Sequence, residues 1–268
     1  PLPDHGAGLH AMAEAFEATV QVPAGALTAV GHRVVHGGDR FSAPAVIDAE
    51  VIAAIRSCIP LAPLHNPANL LGIEVAMQAY PVVLHVVVFD TAFLQTMPEA
   101  AHLYAIDREV AAQHRIRRYG FHGTSHAFVS RAAANHLAIP ADRARMITLH
   151  LGNGASACAV SGGRSVDTSM GLTPLAGLVM GTRSGDIDPG ALLHLLRSGM
   201  TVDEVDTLLN KASGMKGLAG ENDLRQVHAA AQGGDTGAEA ALQVYVHQIR
   251  HYVGAYLLEL GGADAIVF

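Results

Sequence analysis

The stretch MITLHLGNGASACAV, residues 146–160, carries the clearest fold signal in the sequence. An apolar run at 146–151 enters the turn Gly152-Asn153-Gly154, and a second apolar run at 155–160 leaves it. Asn-Gly between two such runs is a strong short-range signal for an antiparallel hairpin. The glycine pair at 162–163 predicts a further hairpin directly after it. These residues therefore predict an antiparallel sheet in the second half of the chain.

Strand and helix signals alternate on both sides of this hairpin. The nearly continuous apolar run at 82–89 ends at Asp90 and predicts a strand buried on both faces, as in a sheet covered by helices. Residues 27–36 predict another strand, and Asp188-Pro189 predicts the start of a helix. Such alternation, combined with hairpins, indicates an α/β protein with mixed sheets flanked by helices. The change of character after Asp90 favours a domain boundary between residues 92 and 93.

Composition narrows the class of protein. The 268 residues are half apolar, with a net charge of −7 and only two cysteines, Cys58 and Cys158. The net negative charge argues against non-specific nucleic-acid binding. No apolar run reaches the roughly 18 residues that a membrane-spanning helix needs. We therefore expect a soluble cytoplasmic protein with free thiols and no nucleic-acid or membrane partner.

The segment RRYGFHGTSH, residues 117–126, is dense in groups that do chemistry. A helical stretch follows it, and Thr124 or Ser125 could cap that helix and leave backbone N–H groups pointing at an anion. A plain capped helix after a tight turn is the alternative. His122 and His126 also have a metal-ligand spacing, but the glycine and cap signals put His122 before the helix, so a zinc site is the weaker interpretation.

Two arginines and one aspartate lie where glycine turns or strand ends occur. Arg33 precedes a glycine pair, Arg183 lies between glycines, and Asp90 closes the apolar run. A guanidinium donates two parallel hydrogen bonds to a carboxylate or phosphoryl group and stays charged. Surface ion pairs and a capping aspartate are the alternatives. The turn at 152–154 can offer N–H groups to phosphate or be a plain hairpin, and no P-loop motif is present.

Taken jointly, these motifs resemble the successive signatures of the acetate kinases, in the same order. The resemblance covers nearly the whole chain and is carried by residues 31–38, 63–67, 89–93, 117–126, 150–156 and 180–183.

The resemblance implies a fold and a reaction. The fold is two ribonuclease-H-like domains of the actin-like ATPase superfamily, residues 1–92 being the remainder of the first and 93–268 the second, which carries nucleotide-binding and dimer-forming elements. Both ends of the catalytic unit are expected to lie outside this sequence. The reaction is transfer of a phosphoryl group from ATP to acetate with Mg²⁺, reversibly, in a homodimer, and the metal ligands are not identified among these residues.

The resemblance also implies residue roles. Catalytic roles are implied for Asp90, His122, Arg183 and Arg33. A substrate pocket is implied for Arg33, Val35, Leu64, His65, Phe121 and Pro174. Nucleotide binding is implied for His150, Leu151, Gly152, Asn153, Gly154, Asp223, Leu224 and Arg225.

Three other functions stay open at this stage. A propionate kinase would share every motif and differ only in the size of its pocket. A non-catalytic nucleotide-binding remnant would keep the motifs without activity. A zinc hydrolase would use His122, His126 and His150.

Overall fold

The structure, a computed structural model, describes residues 7–8, 11–12, 14–15 and 27–268. Its internal contacts divide the chain into two compact units, Pro1–Gln95 and Thr96–Phe268. The predicted boundary lies three residues earlier. The interpretation of residues 1–92 as part of an acyl-kinase domain stays a prediction, and its first residues lie mostly outside the described ones.

The first unit contains a small mixed sheet with helices beside it. Its strands are β1 (Ala29–Val34), β2 (Ala45–Val46) and β3 (Leu84–Phe89), and its helices are α1 (Ala49–Ser57) and α2 (Asn66–Ala79). The strand order is β1-β3-β2, with β1 parallel and β2 antiparallel to β3. Val34 pairs with Phe89, so β1 and β3 end at the same edge and the residues at these ends become neighbours.

The apolar core of this unit gathers side chains from all five elements, with Ile55, Ile73 and Phe89 among its fully buried members. The prediction that residues 82–89 are buried on both faces is wrong. Burial alternates along β3, Leu84 is half exposed, and Val82 before the strand is 95% exposed. An apolar run specifies a strand, but it does not specify what covers each face.

The second unit is built on the predicted hairpins. Its strands are β4 (Arg145–Leu151), β5 (Ala155–Ser161), β6 (Arg164–Thr168) and β7 (Ala265–Val267), in the order β6-β5-β4-β7. The pairs β4–β5 and β5–β6 are antiparallel, and β7 is parallel to β4. The mixed α/β prediction is thereby confirmed. Six of the seven residues of β5 are buried, which makes it the central strand of the core.

Helices occupy the rest of the second unit. They are α3 (Glu99–His102), α4 (Arg108–Gln113), α5 (Gly123–His136), α6 (Pro189–Arg197), α7 (Val202–Lys211), α8 (Gly214–Ala219), α9 (Leu224–Gln232) and α10 (Thr236–Glu259). The predicted start at Asp188-Pro189 is confirmed, because the Asp188 carboxylate accepts from the Gly190 N–H. In the described part of the chain, no helix combines the length and apolarity needed to cross a bilayer.

Each unit holds one cysteine, and both are fully buried thiols outside any disulfide. Cys58 follows α1, and Cys158 lies in the middle of β5. Burial raises the pKa of Cys158 to about 12, so this thiol stays protonated at neutral pH.

Candidate active site

In the first unit, Arg33 and Asp90 form a bidentate ion pair at the shared edge of β1 and β3. Arg33 Nε donates to Asp90 Oδ1 at 2.8 Å, and a terminal nitrogen donates to Oδ2 at 2.6 Å. The Asp90 side chain is 2% exposed, whereas that of Arg33 is 64% exposed. The hydrogen bond to Asp90 raises the pKa of Arg33. The structure thus brings together two of the predicted catalytic residues, which lie far apart in the sequence.

Two asparagines fix the loop that follows β1. Asn66 accepts from the His36 N–H at 3.1 Å and donates to the His36 carbonyl at 2.9 Å, and Asn69 accepts from the Val35 N–H at 3.1 Å. Both asparagines belong to α2, and Asn66 is fully buried. Sequence reasoning missed them, although an asparagine before a proline at a helix start was a visible signal.

The predicted pocket residues are divided between the two units. In the first, Val35 and His65 are half-buried, and Leu64 is 59% exposed. In the second, Phe121 is fully buried and Pro174 is half-buried. Their proposed contact with an acyl group stays a prediction.

His122 occupies the N-cap position of α5 in the left-handed region, with φ of 59°. The predicted cap by Thr124 or Ser125 is wrong, because α5 already begins at Gly123 and has no side-chain cap. A left-handed conformation is uncommon for a residue other than glycine and recurs where function constrains the chain. The ring stacks on that of His150, with 4.1 Å between centroids.

A chain of hydrogen bonds continues from His122 into the core. His122 Nδ1 lies 2.8 Å from Ser156 Oγ, which lies 2.8 Å from His126 Nε2. His126 Nδ1 lies 2.7 Å from Thr148 Oγ1. Burial, followed by the charge of His150, lowers the pKa of His126 to about 3, so this ring is neutral. Ser156 and Thr148 were not predicted as site residues.

Arg183 is held by neutral acceptors. One terminal nitrogen donates to the Pro174 carbonyl at 2.7 Å and lies 3.6 Å from Met180 Sδ. Burial lowers the pKa of Arg183, which keeps its charge because a guanidinium does not deprotonate in proteins. Its loop is fixed against α8, where Gly214 has φ of +62° and a Cβ would lie 2.2 Å from the Met180 carbonyl oxygen.

The Gly152-Asn153-Gly154 turn lies beside His122 and Arg183. A Cβ at Gly154 would lie 3.4 Å from His122 Nε2 and 3.7 Å from a terminal nitrogen of Arg183. Both side chains therefore face the small space over this glycine. The Asn153 carbonyl accepts from the Gly181 N–H at 2.9 Å, which ties the turn to the Arg183 loop.

The predicted adenosine-contacting stretch begins α9. The Asp223 carboxylate caps that helix, and its hydrogen bond from the exposed Arg225 side chain lowers the pKa of Asp223 to about 2. Leu224 packs against the core. The preceding Asn222, which sequence reasoning missed, donates to Asn153 Oδ1 at 3.1 Å and links this stretch to the turn.

Among the described residues, no group of three His, Cys, Asp or Glu side chains could hold a metal ion. His122 Nδ1 and His126 Nε2 both lie 2.8 Å from Ser156 Oγ, so a serine hydroxyl occupies the point at which these two rings meet. The zinc interpretation therefore has no geometric support in this part of the chain.

Comparison with known proteins accounts for the joint presence of these motifs. The sequence profile of the Acetokinase family matches residues 1–268. The chain belongs to the acetokinase family. It is 60% identical over 270 residues to an acetate kinase of Clavibacter sepedonicus, spanning 100% of this chain and 68% of that protein. It is 57% identical to an acetate kinase of Leifsonia xyli, with the same two coverages.

Solved acetokinase-family structures have the same fold. The Porphyromonas gingivalis acetate kinase matches with a TM-score of 0.94 and 44% identity, covering 99% of this chain and 68% of that one. A propionate kinase from Francisella tularensis matches with the same TM-score and identity, covering 98% and 68%. The same fold therefore occurs in a kinase named for acetate and in one named for propionate.

Proposed function

We propose that the protein to which this chain belongs transfers the γ-phosphoryl group of ATP to acetate, giving acetyl phosphate and ADP. A carboxylate oxygen forms a bond to the γ-phosphorus while the bond to the β,γ-bridging oxygen breaks, and ADP leaves with that electron pair. The observation that carries the proposal is the charged Arg183 beside His122 over Gly154 in an acetokinase-family chain.

The roles proposed for the side chains follow from the charge of the transferring group. Phosphoryl transfer needs alignment and positive charge around three equatorial oxygens, with little covalent chemistry from the protein. Arg183 and His122 can donate to those oxygens, since both face the space over Gly154. Arg33 is proposed to hold the acetate carboxylate, and Asp90 to orient Arg33 through their bidentate pair.

Nucleotide and acyl contacts complete the proposal. The turn at 152–154 and His150 are proposed to contact phosphates, and the stretch from Asp223 to Arg225 to contact adenosine. Val35, Leu64, His65, Phe121 and Pro174 are proposed to line the acyl pocket.

Mg²⁺ is proposed to bind the ATP phosphates. This ion keeps several waters and takes one or two carboxylates plus phosphate oxygens. Of the predicted catalytic residues only Asp90 is a carboxylate, and both its oxygens accept from Arg33. Both oxygens of this carboxylate are thus engaged by Arg33, and the roles proposed for Arg33, Arg183 and His122 do not depend on the metal.

We also propose that the protein is cytoplasmic and forms a homodimer. A cytoplasmic homodimer agrees with the two buried thiols, neither of them in a disulfide, and with the apolar side chains that α10 leaves exposed, including Val246 and Leu258. Light scattering during size-exclusion chromatography measures the assembly directly, and a monomer at micromolar concentration would contradict it.

The test is an acyl-phosphate assay on the full-length protein with acetate, propionate and butyrate, trapping the product with hydroxylamine. We expect the highest kcat/KM with acetate, since the curated relatives at 57–60% identity are acetate kinases. One methylene in an apolar pocket is worth about 10–200-fold. Preference for propionate would favour the alternative that the Francisella match represents. ATP binding without any acyl phosphate would favour the non-catalytic alternative.

A further inference from the structure

A continuous row of hydrogen bonds runs from the fully buried part of the second unit to His122. Its members are Thr148 on β4, His126 in the first turn of α5, Ser156 on β5, and His122 at the N-cap of α5. The three links measure 2.7, 2.8 and 2.8 Å. Thr148, His126 and Ser156 are each fully buried, so water does not compete for these bonds.

One assignment of the protons in this row pairs each donor with an acceptor. A hydroxyl group has one proton, so Ser156 donates to one histidine ring and must accept from the other. When Thr148 Oγ1 donates to the Cys158 carbonyl, 3.4 Å away, it accepts from His126 Nδ1–H. A neutral His126 has one N–H, which leaves Nε2 to accept from Ser156. Ser156 in turn accepts from His122 Nδ1–H, and this arrangement satisfies every donor.

We propose that His126 and Ser156 are positioning residues for His122, which hold its Nδ1 as a hydrogen-bond donor and direct its Nε2 into the space beside Arg183. This inference rests on the proposed phosphoryl-transfer function. Neither residue touches that space, so both act through the ring of His122.

The assignment has a chemical consequence for His122. Because Nδ1 keeps its proton, Nε2 donates to a phosphoryl oxygen only when the ring carries a second proton. In the part of the chain that the structure describes, His150 on β4 stacks on the ring, and Arg183 lies across Gly154 from it. His126 is linked to the His122 ring by hydrogen bonds through the Ser156 hydroxyl. The row therefore supplies the ring with an acceptor for Nδ1–H and fixes its plane.

The first experiment reads the proton positions by NMR. The full-length protein is labelled with ¹⁵N-histidine, and the His122 signals are identified by their loss in His122→Gln. We expect wild-type His122 to have a protonated Nδ1 in its neutral form, and Ser156→Ala to shift the ring towards the Nε2–H tautomer. A neutral wild-type ring with the proton on Nε2, or one unchanged by Ser156→Ala, overturns the proposal.

The second experiment measures kcat and KM. Ser156→Ala removes the acceptor that fixes the plane of the His122 ring and stabilises its doubly protonated form. We expect kcat to fall about 10-fold, the scale of one hydrogen bond, with KM for both substrates nearly unchanged. Ser156→Thr keeps the hydroxyl and is expected to recover most of kcat. The matched control is Ser165→Ala, which removes an equally buried hydroxyl that bonds to Cys158 Sγ and the Asp167 carbonyl instead.

A second position keeps the proposal testable if Ser156→Ala fails to fold. His126→Gln keeps a side-chain oxygen that can accept from Ser156, whereas His126→Leu does not. We expect the His122 tautomer and kcat to survive in the first variant and not in the second. Equal kcat in both folded variants contradicts the positioning role. If the wild-type protein makes no acyl phosphate, the proposed function fails, while the NMR result still decides the proton assignment.

Discussion

Arg33 and Arg183, one in each unit, are held in opposite ways. Arg33 is bound through two nitrogens to the buried carboxylate of Asp90, and this pairing raises its pKa. Arg183 is half-buried, binds the Pro174 carbonyl, and has its pKa lowered by burial. Within the described residues of its own unit, it makes no ion pair.

One guanidinium is thus oriented by a carboxylate, and the other is held by neutral acceptors alone. A guanidinium already neutralised by a carboxylate adds rigidity and direction, and its attraction for a second anion is reduced. A half-buried guanidinium that binds only neutral acceptors retains its full charge for an incoming phosphoryl group. The two arginines should therefore respond differently to the same substitution.

The largest expected effect is on catalysis at Arg183. Arg183→Ala should lower kcat by about 10²–10³-fold, the scale for losing one donor to the transition state. Steady-state kinetics of the full-length protein check this value. Arg197→Ala, at an exposed position in the last turn of α6, is the control and should retain wild-type kcat. A kcat for Arg183→Ala equal to that of the control would remove Arg183 from the proposed mechanism.

The next effect is on stability at Arg33. Arg33→Ala leaves the Asp90 carboxylate buried without its two donors, and we expect a loss of about 1–3 kcal/mol in the free energy of unfolding. Urea denaturation measures it. The same change at Arg56, whose pair with Glu74 is exposed on both sides, should cost under about 1 kcal/mol. Similar losses at the two positions would show that burial of Asp90 does not matter.

At neutral pH the smallest effect is the contribution of His126 to the pH dependence of stability. Its pKa is about 3 in the folded protein against 6.5 for an ordinary histidine. Between these two pKa values the unfolded chain binds a proton at this residue and the native state does not. The free energy of unfolding therefore falls as the pH drops from about 6.5 towards about 3. The slope from this residue is at most about 1.4 kcal/mol per pH unit.

Denaturation at several pH values tests this slope. His126→Gln should flatten it, because the amide does not titrate, whereas His228→Gln at an exposed position should leave it unchanged. Identical slopes in His126→Gln and the wild type would mean that the buried ring contributes nothing to the acid sensitivity.

The sequence predicts those parts of the fold that depend on neighbouring residues. The hairpin at 146–160 is confirmed because its turn and its two apolar runs are contiguous, and α6 starts where Asp188-Pro189 predicts it. Each signal needs only a few residues and their intrinsic backbone preferences. Burial on the two faces of β3 was predicted wrongly because it depends on distant elements.

The sequence predicts several residues of the candidate site individually, but it does not predict which of them contact one another. Arg33 and Asp90 each carry a signal, yet their pairing requires the parallel register of β1 with β3 across a separation of 57 residues. The link from His126 to Ser156 spans 30 residues and joins a helix to a strand. No local pattern marks Ser156, since a serine in an apolar strand is also an ordinary core residue.

The two cysteines allow the rate of local opening to be measured separately in each unit. Cys58 and Cys158 are fully buried in different units, so an alkylating reagent reaches either thiol only when the backbone around it opens. Mass spectrometry of the two modified peptides over time would give two opening rates from one sample. Comparing these rates with and without ATP would show in which of the two units the nucleotide slows local opening.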